Sequence, residues 1–181
     1  LPGIGEKTAE RLAFSVLDFD EDQIKLFSDS ISLVNKNIHK CSICNTLTEN
    51  DVCFVCSDDS RNDSVLCVVD DVKNVFLFEK MGNQQKRTLD GLISPLEGIN
   101  PEDIGLEKLL NRLKNNNFKE IIFAFNPSIE SETTAMYIKR ILEGTDIKIT
   151  RLASGVPMGA NMEYIDKLTL ERAMMDRKVI E

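Results

Sequence analysis

Four cysteines are the side chains of this sequence best suited to hold a metal ion. They form two matched pairs in the pattern C-x2-C-x8-C-x2-C, at Cys41, Cys44, Cys53 and Cys56. Each C-x-x-C turn can direct two thiolates toward one point, and two such turns close a tetrahedral zinc shell. Four protein ligands leave no position for water or substrate, so we expect a structural zinc site. The alternative is a reduced or redox-active pair of thiols.

The remaining cysteine and the only histidine offer less chemistry. Cys67 lies inside the apolar run "SVLCVVD" and is interpreted as a small buried side chain. His39 lies two residues before Cys41, is not needed as a ligand, and is interpreted as a surface residue. A lone histidine at this place argues against a Ser-His-Asp triad and other histidine-based catalysis.

The glycine-rich start of the chain, "LPGIG", is a candidate phosphate-binding hairpin. Gly3 and Gly5 permit a tight turn and a close approach of the backbone to another molecule. A helix is predicted to begin near Glu6, and the free N–H groups of a helix N-terminus attract anions. Lys7 and Arg11, four residues apart on one helix face, would extend the contact. The alternative is that G-x-G only makes a tight turn between helices.

The segment "FAFNPSIESE" indicates a strand that ends at the start of a helix. Asn126, Glu130 and Glu132 follow the apolar run, and Asp70 follows the similar run "SVLCVV". In α/β proteins, ligands bind at the carboxyl ends of such strands. The two glutamates would also stabilise the helix dipole with no further role, with Asn126 or Ser128 as the cap.

Composition narrows the class of protein. The chain has 181 residues, a net charge of −8 and 42% hydrophobic residues, the balance of a globular protein. The apolar runs have the length of strands, so no membrane span and no signal peptide are predicted, and we expect a cytoplasmic location. The negative charge requires that DNA binding use a local basic patch, or an assembly that concentrates one face.

Strands alternate with helices over the C-terminal two-thirds of the chain. Apolar strands are predicted at "SVLCVVD", "EIIFAF" and "DIKITRLA", each followed by a helical or loop segment. This alternation indicates βαβ units and a mostly parallel sheet flanked by helices. The N-terminal third is predicted to be helical, and the polar stretch "SDDSRND" is interpreted as a linker. The fold class is therefore α/β with an N-terminal helical piece and a small cysteine knuckle.

The order of these motifs resembles that of a known bacterial family. The chain reads "LPGIGEKTAERLAF", the four-cysteine knuckle, "CVVD", "GLISPLEGINPEDI", "NPSIESETTAMYI" and "TRLASGVPMGANMEYIDKLTL". This series resembles the RecR family of recombination mediators over essentially the whole chain. The resemblance implies a helix-hairpin-helix region at 1–40, a four-cysteine zinc finger and linker at 41–63, a Toprim domain at 64–153, and a C-terminal loop and helix at 154–181.

The resemblance implies a function without catalysis. RecR-like proteins form dimers and ring-like tetramers that work with RecO and RecF in the repair of damaged DNA at single-stranded gaps and ssDNA–dsDNA junctions, where they help load RecA. On this interpretation Gly3, Gly5, Lys7 and Arg11 meet DNA without sequence preference, and the protein acts at the bacterial nucleoid. The resemblance places the first helix of the helix-hairpin-helix before Leu1, in a segment that takes part in dimerisation in the family.

The Toprim resemblance also bears on metal chemistry. Catalytic Toprim enzymes hold Mg²⁺ with an acid after the first strand and a D-x-D-x-E-like cluster after a later one. Here the first acid is Asp70, but Asn126 and Ser128 occupy the two aspartate positions, and only Glu130 of the cluster is acidic. We therefore expect at most weak Mg²⁺ binding and a pocket reused for protein contact, with Asp70, Asn126, Glu130 and Glu132 as the partner-binding patch.

The sequence departs from the family pattern at several places. Asp70 replaces the commoner glutamate, Ser131 lies where the family has glycine in "EGE", and Ala160 replaces a glycine. The stretch 81–90 is short and lacks a tyrosine–histidine pair often found there. Two alternatives stay open on the sequence alone. One is a Mg²⁺-dependent Toprim nuclease or primase-like enzyme, and the other is an adaptor whose hairpin touches no nucleic acid.

Overall fold

Helices and parallel strands build the molecule as the sequence predicts. The computed structural model describes residues 1–81, 84–89, 91–115, 117–177 and 179, with the backbone alone at 84–88 and 115. Residues 82, 83 and 90 of the shortened stretch 81–90 therefore lie outside the described part. The helices are α1 Glu6–Leu17, α2 Glu21–Asn37, α3 Val72–Glu79, α4 Leu106–Asn115, α5 Ile129–Ile141 and α6 Lys167–Met175. The strands are β1 His39–Lys40, β2 Leu47–Thr48, β3 Asn62–Val69, β4 Gln84–Thr88, β5 Glu120–Ala124 and β6 Lys148–Arg151.

A four-stranded parallel sheet forms the centre of the larger domain. Its strand order is β4-β3-β5-β6, with β3 and β5 in the middle. Val69 pairs in register with Ala124, so the two central strands end at the same level. The residues that follow them, Asp70 and Phe125-Asn126, therefore meet at the carboxyl end of the sheet, which is called the sheet edge below. The predicted α/β class with a mostly parallel sheet is confirmed.

The two faces of the central strands are buried against different partners. On one face Leu66 and Val68 of β3 pack with Ile121 and Phe123 of β5 in a cluster completed by α4 and α5. Side chains alternate along a strand, so the intervening residues point the other way. Cys67, Val69 and Ala124 accordingly belong to a second cluster, in which α3 and the cysteine knuckle provide the cover.

Two helices, α2 and α5, begin at capping boxes. The Asp20 side chain accepts from the Gln23 N–H at 2.8 Å, and Gln23 bonds back to the Asp20 N–H. Ser128 and Ser131 make the same reciprocal pair at the start of α5. Of the two cap candidates for this helix, Asn126 and Ser128, the structure confirms Ser128. Each cap satisfies backbone donors that a helix N-terminus leaves without a partner.

The first two helices bury none of their own residues. About half or more of the surface is exposed in four large apolar residues of α1 and α2: Leu12, Phe14, Leu26 and Phe27. Both helices are nonetheless amphipathic in sequence, with apolar residues at helical spacing. The structure therefore shows apolar faces on α1 and α2 that this single chain leaves uncovered.

The segment interpreted as a linker is tied to the sheet domain. Arg61 donates to Glu79 at the end of α3 through two bonds of 2.9 and 2.7 Å, and to Asp58 at 3.0 Å. Both side chains of the Arg61–Glu79 pair are largely buried, with 9% and 14% exposed. The bidentate geometry fixes the chain between the knuckle and β3 against the end of α3.

Removal of Glu79 should destabilise the protein because it takes a bidentate carboxylate partner from the largely buried Arg61 charge. We expect Glu79→Ala to lower the free energy of unfolding by about 2–4 kcal/mol, measured by chemical denaturation of the zinc-loaded protein. The control is Glu171→Ala, which removes a glutamate from the exposed pair with Lys167 at 3.5 Å on α6. That change should cost less than about 0.5 kcal/mol. Equal effects of the two substitutions would contradict a structural role for the Arg61–Glu79 pair.

Candidate functional site

The four knuckle cysteines converge on one point. Their sulfur atoms all lie within 4.8 Å of one another, and the Cys44 and Cys53 sulfurs are 3.4 Å apart. A tetrahedral zinc ion with Zn–S distances of about 2.3 Å separates its sulfurs by about 3.8 Å, so the cluster fits that ion. In the described part of the chain, no second group of three or more metal-ligating side chains is gathered in this way.

Local backbone geometry directs the sulfurs inward. The first turn closes through the Asn45 N–H to Cys41 O bond at 3.0 Å, and Asn45 adopts a left-handed φ of 59°. Asparagine tolerates this conformation better than most residues. The Cys53 N–H then donates to the Cys41 sulfur at 3.3 Å, which joins the second turn to the first. The two C-x-x-C turns are therefore held in the geometry that a metal needs.

The close spacing of the sulfurs shifts the pKa values of two of the cysteines in opposite directions. Hydrogen bonds with Cys44 and then Cys56 lower the pKa of Cys53 to about 3. Hydrogen bonds with Cys44 and Cys53, together with burial, raise the pKa of Cys56. Zinc takes thiolates, so metal binding releases the protons that the cluster shares. Acidification should therefore weaken the site.

The knuckle lies directly on the sheet. Cys41, Cys44 and Cys53 are fully buried and share one cluster with Val69 of β3 and Val75 of α3. A knuckle of this size cannot bury a core by itself, and the sheet supplies the missing apolar surface. A metal in the knuckle therefore stabilises the sheet domain as well as the knuckle.

The hairpin before α1 has the geometry of a tight turn. The Ile4 N–H donates to Leu1 O at 3.1 Å, and Gly3 has a φ of +79°. Pro2 and Gly3 thus occupy the two central positions as in a type II turn, which requires positive φ at the second of them. A Cβ atom placed on Gly3 or Gly5 would meet no protein atom within 4 Å. The backbone is therefore open to an external molecule on this side.

The N-terminus of α1 combines an uncapped backbone with two cations. Gly5 is the N-cap residue, and no side chain caps the helix. Lys7 and Arg11 lie four residues apart on α1, are exposed, and make no ion pair with another described residue. The predicted DNA-binding residues thus share one short segment. Glu6 and Glu10 lie on the same helix, so the positive charge is local.

The carboxylate of Asp70, which follows β3, accepts three hydrogen bonds from two asparagines. Asp70 Oδ2 accepts from the Asn126 N–H at 3.1 Å and from Asn126 Nδ2 at 3.2 Å. Asp70 Oδ1 accepts from Asn74 Nδ2 at 3.0 Å. Asn126 thus donates to Asp70 through both its backbone and its side-chain amide. These hydrogen bonds join the ends of the two strands directly.

The two glutamates of α5 have different environments. Glu132 accepts from Arg151 at 2.8 Å and from Arg172 at 2.9 Å, so it links the end of β6 and helix α6 to α5. Glu130 has no ion-pair partner among the described residues, and its own N–H and the Ser128 hydroxyl lower its pKa. Glu130 therefore stays ionised and available to an external cation, whereas much of the charge of Glu132 is used within the fold.

Asp70 and Asp71 border a cleft between the sheet edge and the knuckle. The opposite wall includes Lys40 and Asn45. Asp71 also caps α3 by accepting from the Lys73 N–H at 2.8 Å. Of the four residues predicted as a partner patch, Asp70 and Asn126 contact each other directly. Glu130 follows Asn126 on the same turn into α5, and Glu132 belongs to the pocket lined by Arg151 and Arg172.

Several side chains that shape the site do not emerge from the sequence pattern. Arg151 and Arg172 lie 19 and 40 residues from Glu132, so no local spacing predicts these pairs. Asn74 is four residues after Asp70, and this i, i+4 spacing could have indicated the bond. His39 is exposed and Cys67 is buried, as the sequence indicated.

Comparisons with known proteins match every part of the chain described above. Family models match as follows: the RecR helix-hairpin-helix over residues 1–34, the RecR zinc finger domain with four cysteine ligands over 38–58, the Toprim domain over 64–153 and the RecR C-terminal region over 155–178. Similar curated relatives include "Recombination protein RecR" of Staphylococcus aureus strains Newman, USA300 / TCH1516 and COL. Each is 47% identical over 179 residues, which cover 98% of this chain and 90% of the relative.

The predicted structural zinc is confirmed by two independent observations. The zinc-finger match spans all four cysteines, and their sulfur atoms cluster at distances that suit the ion. When bound, zinc joins the two C-x-x-C turns and stabilises the small domain. Separately, no helix in the described part of the chain has the length and apolarity to cross a bilayer.

Loss of one knuckle cysteine should remove zinc and destabilise the sheet domain. We expect Cys53→Ser to abolish stoichiometric zinc, measured by metal analysis, and to lower the free energy of unfolding by more than about 4 kcal/mol. Zinc release from the unaltered protein should increase as the pH falls, because protons compete for the thiolates.

Cys67→Ala is the matched control for the zinc experiment. Cys67 is 1% exposed in the same cluster but lies outside the four-sulfur group. This variant should keep zinc and lose about 1–2 kcal/mol through reduced packing. A Cys53→Ser protein that stays folded and fully loaded with zinc would refute the assignment.

A second prediction concerns the Asp70–Asn126 contact. Asn126→Asp places a carboxylate 3.2 Å from Asp70 Oδ2 in place of a donor. Without divalent cations we expect a loss of about 1–3 kcal/mol in the free energy of unfolding, since the bond is replaced by repulsion. Mg²⁺ should recover this loss and bind measurably by calorimetry, because it prefers carboxylate oxygens.

The control is Asn161→Asp, at the cap of a short 3-10 turn, where Mg²⁺ should have no such effect. Indifference of Asn126→Asp to Mg²⁺ would show that the strand ends are not arranged as a metal site.

Proposed function

The chain belongs to the RecR family of recombination proteins, as its motifs predicted, and we propose that it is a non-catalytic mediator that binds DNA at single-stranded gaps and junctions. We propose further that it acts with RecO and RecF and helps to load RecA, at the nucleoid in the bacterial cytoplasm. The division at 1–40, 41–63, 64–153 and 154–181 is part of this proposal.

The observation that carries the proposal is the geometry of the hairpin. A type II turn with open space beside both glycines leads into a helix N-terminus that no side chain caps. Such a terminus binds phosphate through backbone N–H groups and the helix dipole. Lys7 and Arg11 add two cations along the same helix. Contacts of this kind bind the phosphate backbone and carry no base specificity, as a mediator at gaps of any sequence requires.

Assembly would concentrate this small basic segment. One hairpin with two cations gives limited affinity on a chain of net charge −8. The uncovered apolar faces of α1 and α2 are suited to contact another copy. We propose a homodimer or ring-like tetramer in which several hairpins face one DNA molecule, so that the combined affinity exceeds that of one site.

The sheet edge supports partner binding over catalysis. All described bonds of Asp70 come from amides, and Asn126 and Ser128 replace two carboxylates that a Mg²⁺ site of the Toprim type requires. A Mg²⁺-dependent nuclease or primase would lack these ligands. We propose that Asp70, Asn126 and Glu130 contact a basic protein partner such as RecO, and that Glu132 supports this surface by holding Arg151 and Arg172.

The DNA-binding proposal is tested by the salt dependence of affinity. We expect the double substitution Lys7→Ala and Arg11→Ala to reduce the slope of log K against log[salt] for a gapped duplex by about two, measured by fluorescence anisotropy. Gly5→Ala should weaken binding without unfolding the protein, because its φ of −80° suits alanine and the added Cβ meets open space.

The matched control removes the same charge elsewhere. Lys139 and Arg140 lie exposed in the last turn of α5, and their replacement with alanine should leave the slope unchanged. If the Lys7 and Arg11 variant binds with the original slope, the hairpin does not touch DNA, and the adaptor interpretation is favoured. Metal-dependent cleavage of gapped DNA by the pure protein would favour the nuclease interpretation.

A further inference from the structure

The loop 94–99 presents a leucine on a closed, anchored turn. Ser94 and Ile99 exchange two backbone bonds, of 3.1 and 2.9 Å, and a short 3-10 turn, Pro95–Glu97, lies between them. Gly98 ends this turn with a φ of +71°. At the tip, Leu96 is 98% exposed. The side chain therefore covers nothing in its own chain, although the backbone that carries it is fully hydrogen-bonded at its base.

The base of the loop is fixed in the core beside α5. Ile93 and Ser94 are 6% and 5% exposed. The Ile93 N–H donates to Thr134 Oγ1 at 2.9 Å, and Thr134 Oγ1 donates to Glu130 O at 2.7 Å. Thr134 and Glu130 lie four residues apart and so share one face of α5. The loop thus leaves the core next to the helix turn that carries Glu130.

Single exposed apolar residues are common and need no explanation by themselves. Here the chain has ordered a closed loop, which costs conformational entropy, without using its tip in the core. A second apolar side chain, Ile129 at the first position of α5, is 82% exposed. Rigid apolar side chains that need no ordering on association are effective anchors for a protein partner.

The segment that carries the anchor is acidic. Residues 91–107 contain no lysine or arginine and four acids: Glu97, Glu102, Asp103 and Glu107. These four are exposed, and Glu130 adds a further carboxylate from α5. Such a surface repels nucleic acid and attracts a basic protein. A second copy of this chain, with its net charge of −8, is a poorer match than a basic partner.

We propose that Leu96 is the apolar anchor of a docking surface, rimmed by Glu97 and Glu130, for a protein that offers an apolar pocket surrounded by lysine and arginine. This inference rests on the partner role proposed above for Glu130 and extends it to a second element, the 94–99 loop. The anchor supplies affinity through burial of Leu96, and the acidic rim supplies orientation and rate of association.

Two substitutions separate the anchor from the rim. With the zinc-loaded chain and purified RecO of the same organism, Leu96→Ser should weaken binding by about tenfold or more with an unchanged salt dependence. Glu97→Lys should slow association and reduce the salt dependence. In the control Met158→Ser, at a methionine that is fully exposed elsewhere, affinity should not change. All three variants should keep the original melting temperature, since these side chains bury nothing within the chain.

The outcomes distinguish the two proposals. If the unaltered chain binds RecO and Leu96→Ser binds equally well, the anchor is refuted and the proposed function survives. If the unaltered chain does not bind RecO, that part of the proposed function fails. The anchor is then decided in living cells with a photo-crosslinking amino acid at position 96. A product with a different protein, joined at an apolar segment flanked by lysine or arginine, supports it. A product with a second copy or with DNA, or no product beyond that obtained at position 158, overturns it.

Discussion

The burial of the cysteine knuckle against the second face of the sheet is the contact on which the rest of the structure depends. Val69, Cys67 and Ala124 would face water if the knuckle were displaced, and the knuckle alone has too few residues for a core. Zinc therefore holds together a small element that completes a larger one. Asp70 and Asn126 follow the ends of these same two strands. Packing of the knuckle on the strands therefore also fixes the positions of these two side chains. The zinc knuckle and the acidic residues at the strand ends are in this way parts of one packing unit.

The carboxyl ends of β3 and β5 show how the parallel topology sets which residues meet at the candidate site. Parallel pairing of β3 and β5 brings the residues after both strands together, whatever their identity. Two carboxylates at these positions need a cation between them, whereas a carboxylate and an amide satisfy each other directly. Asn126 donates twice to Asp70, so these hydrogen bonds join the strand ends directly. They hold the surface in shape, as the partner contact proposed above requires.

Much of this organisation follows from the sequence because the signals are local. The apolar runs of β3, β5 and β6, the cap at Ser128, and the cysteine spacing each involve neighbouring residues. Strand β4, Gln84–Thr88, escaped prediction because its residues are polar and give no hydrophobic pattern in the sequence. The partners of Arg61 and Glu132 escaped because each pair joins distant parts of the chain. A site residue can thus often be recognised from its neighbours in the sequence, but its ion-pair partners depend on tertiary contacts.

The distribution of charge gives the two proposed binding functions separate places. Lys7 and Arg11 lie on α1 beside an open backbone, whereas no cation occurs from residue 91 to residue 107. A phosphate chain is drawn to the first segment and repelled by the second, and a basic protein experiences the reverse. Because the Debye length at physiological salt is about 8 Å, each surface acts over a short range and does not cancel the other. A strongly acidic chain can therefore bind DNA and a DNA-binding protein at once, provided that the basic residues are confined to the hairpin and excluded from the docking loop.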